Sequence, residues 1–171
     1  MDKEFLNKVI ELSGEINKIT PKVWLPPAEG TIAGSEMIVY KPLVKNTRGY
    51  IEKISNQING CYEKGWYDAC AVMIRRLLET LIIEVFEAKG IDSKIKKDGD
   101  FMFLRDMISV TLNETSLNLS RNTKRALPSL KDIGDKSAHS RRFNAIRQDI
   151  DNIKTDLRTV IQEFIYLANL K

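Results

Sequence analysis

The stretch YDACAVMIRRLLETLIIEVFEA, Tyr67 to Ala88, decides the fold. Cys70, Val72, Ile74, Leu77, Leu78, Leu81, Ile82, Val85 and Phe86 wrap apolar surface around most of a helical girth. A helix with one apolar stripe lies on the outside of a domain, whereas one that is apolar nearly all round is central. Asp68 marks the region of its N-cap, and Gly90 follows as a C-cap glycine. Glu79 and Glu84 interrupt the run, and nowhere does the chain reach the roughly 18 uncharged apolar residues of a transmembrane helix.

Other helices flank this one. Upstream, Ile51, Ile54, Ile58 and Cys61 form a stripe that closes near Gly60 or Gly65. Downstream, Ile91 to Asp100 reads as a charged loop and Phe101 to Leu112 as a shorter helix. Another turn or helix starts at Ser120, an N-cap residue, and runs toward Gly134, with Pro128 expected to kink or restart it. Ile146, Ile150, Ile153, Leu157, Val160, Phe164 and Leu167 alternate spacings of four and three, the stripe of a final helix. Ile161, Ile165 and Ala168 widen that stripe to the breadth of a bundle core. At the other end, Phe5, Val9, Leu12, Ile16 and Ile19 predict an amphipathic helix that stops before Pro21.

The stretch from Thr20 to Asn46 holds four of the five prolines, which exclude helix through much of it. With Trp24, Leu25 and Met37 to Tyr40 it is too apolar for a free tail. It reads as an extended strap docked on its own domain or on a second subunit, with a short strand at Ile38 to Tyr40. The expected fold is all-α: an up-and-down bundle of about five helices over residues 47–171, preceded by a helix and a Pro-rich strap over 1–46.

Composition narrows the function. At 171 residues and 43% hydrophobic, the chain can bury one core with an appendage. The start, Met1-Asp-Lys-Glu-Phe5, lacks the regions of a signal peptide. Cys61 and Cys70 lack metal-ligand spacing and have no second pair, so reduced structural thiols, a cytoplasmic location and no zinc site are expected. No metal or other cofactor is expected. There is no Gly-rich phosphate loop and no Ser or Cys nucleophile with a nearby base. A helix-turn-helix between Lys124 and Ala145 lacks distinctive turn signals.

The formal charge of +4 is concentrated. Between Arg121 and Arg147, eight basic residues stand against only Asp132 and Asp135, a local +6 that leaves the rest of the chain at −2. Such a patch suits a phosphate-bearing partner, or forms a solvated helix face. The single histidine, His139, lies inside it. Its imidazole can accept and give a proton near neutrality, although a lone His at a helix end is commonly a cap or packing residue. On the central helix, Arg75 and Glu79 are four apart and can pair, which would lock packing. Alternatively, Arg75 or Arg76 faces a ligand.

Two motifs together carry a resemblance. One is the helix ending Arg75-Arg76-Leu77-Leu78-Glu79; the other is Lys131-Asp132-Ile133-Gly134-Asp135 with His139 four residues on, before a final long helix. Over Tyr50 to Lys171 the chain resembles the HEPN superfamily (higher eukaryotes and prokaryotes nucleotide-binding). It is similar within that to a bacterial branch with a basic-x-Ile-Gly-Asn-x-x-x-His signature. The resemblance implies a helical domain that binds RNA or nucleotide phosphate. It also implies a metal-independent endoribonuclease, in a prokaryotic defence or toxin–antitoxin setting. Cleavage through a 2′-hydroxyl needs a base, an acid and positive charge facing the phosphorane.

The resemblance makes His139, Lys131 and Asp135 the candidate catalytic residues. Arg75, Arg76, Lys136, Arg141 and Arg142 become the candidate phosphate or RNA contacts. The chain departs from the pattern where Gly134 takes the arginine position and Asp135 the polar one, so Lys131, Arg141 or Arg142 would have to supply the charge. The zinc-binding cysteines common in that branch have no counterpart here. One imidazole per chain implies a homodimer that supplies two. The alternative is a non-catalytic module for dimerisation or a protein partner, which the Gly134-Asp135 departure favours.

Overall fold

The computed structural model describes Lys8 and residues 37–171. The helix expected over Phe5 to Ile19 and the strap from Thr20 to Glu36 lie outside the described residues, apart from Lys8, which is helical. The described chain is an all-α bundle. Its helices are α1 (Lys41–Val44), α2 (Gly49–Glu63), α3 (Tyr67–Ala88), α4 (Leu104–Asn113), α5 (Arg121–His139) and α6 (Arg147–Leu167).

The central position of α3 follows from its sequence. Cys70, Ala71, Ile74, Leu77, Leu78, Leu81, Ile82 and Phe86 are fully buried, and α2, α5 and α6 all pack on it. Three of the four longest helices share a C-terminal device, a residue at positive φ just past the C-cap: Gly65 after α2, Gly90 after α3 and Asn169 after α6. At each, two backbone N–H groups fold back onto the last turn, as in Trp66 N to Cys61 O at 2.8 Å and Gly65 N to Tyr62 O at 3.1 Å. The second bond of each pair brings a following apolar residue, Ile91 or Leu170, back against the core after α3 and α6.

Two expectations need correction. The charged segment after Gly90 is not a plain loop: a 3₁₀ turn at Asp92–Ile95 leads into a hairpin of β1 (Lys96–Lys97) and β2 (Asp100–Phe101). Asp98 and Gly99 both have positive φ, the requirement of a two-residue Asp-Gly hairpin turn. Ile38 to Tyr40 is not a strand, and its continuation is helical. Pro42 sits in the first turn of α1, where its missing N–H costs nothing.

The Ile38–Val39 segment is held by one side chain in place of a β ladder. Asn59, buried on α2, accepts hydrogen bonds from Ile38 N at 2.9 Å and Val39 N at 2.8 Å. Its amide donates back to Val39 O at 2.8 Å. Ile38, Val39 and Val44 thereby join the core of the same chain. Asn59→Ala strands those two N–H groups away from water and should cost about 2–4 kcal/mol, read as a lower denaturant midpoint at unchanged slope.

Candidate functional site

The site is carried by α5, and its start is strongly fixed. Ser120 caps it, accepting from Thr123 N at 3.2 Å. Glu163 of α6 then accepts from Ser120 N and Ser120 Oγ, both at 2.6 Å, and from Thr123 Oγ1 at 2.5 Å. Burial alone would raise the Glu163 carboxyl; those three donors outweigh it and hold it below the usual range. The helix continues through Pro128 as one element, so Pro128 does not end it and restart another. Pro128 is exposed, while Thr123, Ala126, Leu127, Leu130 and Gly134 form a continuous buried face that carries the helix past it.

Gly134 is the contact point with α3. A Cβ placed there would lie 2.7 Å from Arg75 Cβ and 3.0 Å from the Ala71 carbonyl oxygen. No side chain fits there without a shift of its neighbours, so this position packs the crossing.

The crossing delivers Asp135 to Arg75. Arg75 Nε donates to Asp135 Oδ1 at 2.8 Å, and Lys131 Nζ lies 2.8 Å from Asp135 Oδ2. Lys131 also contacts Asp132 Oδ1 at 2.9 Å. The expected Arg75–Glu79 pair is present but loose, at 3.9 Å. Burial pushes the Asp135 carboxyl up, but hydrogen bonds from Lys131 and then Arg75, with their charges, bring it below the ordinary value. Lys131 is raised above the ordinary lysine value, first by its bond to Asp135 and then by that to Asp132.

The structure thus joins Arg75, Lys131 and Asp135, and sets other candidates apart. Arg76, one residue on, points to solvent. His139 is the last residue of α5, exposed, one turn beyond Asp135 on the same helix. Lys136, Arg141 and Arg142, within three residues of it in sequence, are also exposed. Among the described residues, the side chains of Arg76, Lys136, His139, Arg141 and Arg142 make no ion pair.

The following turn is anchored where Asp68 Oδ1 of α3 accepts from Ala145 N at 2.9 Å. Arg147 stacks over the Tyr62 ring at 5.0 Å, and Tyr62 donates to Asp151 at 2.5 Å. Sequence reading missed the Arg75–Asp135 pair and the Asp68 anchor because partners 60 and 77 residues apart have no local signal. The glycine beside Asp135 was the available clue to a close crossing.

Among the described residues, no group of three or more His, Cys, Asp or Glu side chains is placed to hold a metal. No described helix is long and apolar enough to cross a membrane. Both cysteines are free thiols. Burial, with a smaller push from Cys61, raises Cys70 to about 12, so that thiol is not a nucleophile at neutral pH.

Gly134→Ala should destabilise by about 1–3 kcal/mol despite alanine's better helix propensity, because the clash involves backbone and a Cβ. Gly49→Ala in α2 meets open space and should be neutral or gain up to about 1 kcal/mol. Paired thermal melts of the two variants check this. Asp135 has a depressed folded-state pKa, so its ion pairs stabilise fully above the ordinary carboxylate range and are lost as pH falls through the lower folded value. The stability gap between wild type and Asp135→Asn should be flat above about pH 5 and shrink below about pH 4 in urea titrations. No family model matches the chain, and neither the curated proteins nor the solved structures contain a significant match.

Proposed function

We propose that the chain is a HEPN-like helical domain that binds RNA or nucleotide phosphate at the C-terminal end of α5. One observation carries this reading: Lys136, Arg141 and Arg142, none in an ion pair among the described residues, are exposed and lie within three residues of the only histidine in the sequence. Exposed cations without internal ion pairs are what phosphate binding requires, because each contact releases condensed counterions. The ribonuclease part of the reading is a degenerate one. Gly134 cannot hold an arginine, and Arg75 and Lys131 are engaged by a carboxylate that would repel a scissile phosphate. A homodimer that sets two copies of His139 together would restore an acid and a base. Work in the cytoplasm, in a prokaryotic defence or toxin–antitoxin role, suits such a domain.

A second reading is favoured by the same ion pairs. With its charges already satisfied internally, the α3–α5 face fits a non-catalytic module for dimerisation or a protein partner.

A salt titration of single-stranded RNA binding separates the two. The RNA reading expects a log–log slope near −0.7 per phosphate contact, and Arg141→Ala with Arg142→Ala together should flatten it by about 1.4. Negligible affinity at low salt would leave the partner module. Cleavage of a mixed RNA pool that resists chelator and disappears in His139→Ala would restore the active enzyme.

A further inference from the structure

We propose that Arg75 and Lys131 form an anion seat that Asp135 occupies in cis, and that a phosphate of the bound strand displaces this carboxylate. The proposal rests on the RNA-binding reading and deepens it by naming how the site is held back.

The geometry is that of a two-point anion clamp. Two cations from different helices each meet one oxygen of the same carboxylate at 2.8 Å. A phosphate presents a comparable pair of oxygens, and guanidinium with ammonium is a common way to hold one. The seat also has donors to spare. Among the described residues Arg75 makes a single side-chain hydrogen bond, through Nε, and its Nη1 is 3.9 Å from Glu79. The remaining guanidinium N–H groups are therefore available to an incoming oxygen.

Position makes exchange feasible. The side chains of Arg75 and Asp135 retain 29% and 33% of their exposure, so the cluster lies at the rim of the bundle. Asp135 can turn to solvent without being stranded in the core. The seat shares a face of α5 with His139, four residues on from Asp135, whereas Lys136, next in sequence, lies about 100° round the helix. A strand bound at the His139 end of α5, where Arg141 and Arg142 follow in the next turn, would pass within a helical turn of the clamp. Gly134 fixes the spacing, since the backbones meet at the neighbouring residue and keep Arg75 beside α5.

Charge removal anywhere nearby would tighten RNA binding somewhat, so the test needs a matched control. Asp132 also contacts Lys131, but it does not reach Arg75. Asp132→Asn therefore changes the net charge as Asp135→Asn does while leaving the seat filled. Binding of a labelled single-stranded RNA of mixed sequence is measured for both variants and wild type across a salt series.

Asp135→Asn should bind about five- to tenfold tighter than wild type and show a salt slope steeper by about 0.7, one added phosphate contact. Asp132→Asn should gain no more than about twofold, with an unchanged slope. Asp135→Ala, which keeps good helix propensity, should reproduce the Asp135→Asn result and covers the case in which the amide variant folds poorly. If wild type binds RNA but the variants at the two positions tighten equally, or Asp135 variants do not tighten at all, the seat is refuted while RNA binding stands. If wild type does not bind even at low salt, the RNA-binding reading falls and the proposal falls with it.

Discussion

The structure depends on the close approach of two backbones at Gly134. Helix α5 meets α3 where the Ala71 carbonyl oxygen and the Arg75 Cβ leave no room for a side chain. Interiors are packed densely enough that one added methyl at such a crossing moves a helix rather than filling a gap. Because the two helices touch there, the next residue, Asp135, is set beside Arg75, and Lys131 one turn back closes on the other carboxylate oxygen. A packing requirement thereby determines an electrostatic one.

That arrangement divides the candidate cations into two populations. Arg75 and Lys131 are half or more buried, paired and fixed; Arg76, Lys136, Arg141 and Arg142 are exposed. Clamped cations hold helices together, and they offer an external anion little unless the internal carboxylate gives way. Exposed cations attract phosphate over about a Debye length and do so in a salt-dependent way. Of the basic residues between Arg121 and Arg147 the cluster draws in Lys131 alone, and both of its carboxylate partners are already counted in the local +6.

Much of the fold was legible in the sequence because the strongest signals were local and periodic. The central helix runs from Tyr67 to Ala88 as the apolar girth and Gly90 implied, and Ser120 caps α5 as its residue type suggested. Pro128 does not restart the helix, because propensity at one exposed position is overridden by a buried face along the whole helix. Ile38 to Tyr40 misled because β-branched residues satisfied by a distant Asn59 look the same in sequence as residues in a ladder. At the site, the residue types were legible and their pairing was not. Arg75 was matched to Glu79 by helical spacing, whereas its close partner comes from a helix far along the chain.

The Gly134 crossing couples Arg75 and Asp135 directly. A double-mutant cycle with Arg75→Met and Asp135→Asn, read by denaturant unfolding at neutral pH and low salt, measures that coupling. The account predicts an interaction energy of about 1–2 kcal/mol, as befits a charged hydrogen bond at a partly buried rim. Additivity within about 0.3 kcal/mol would contradict it.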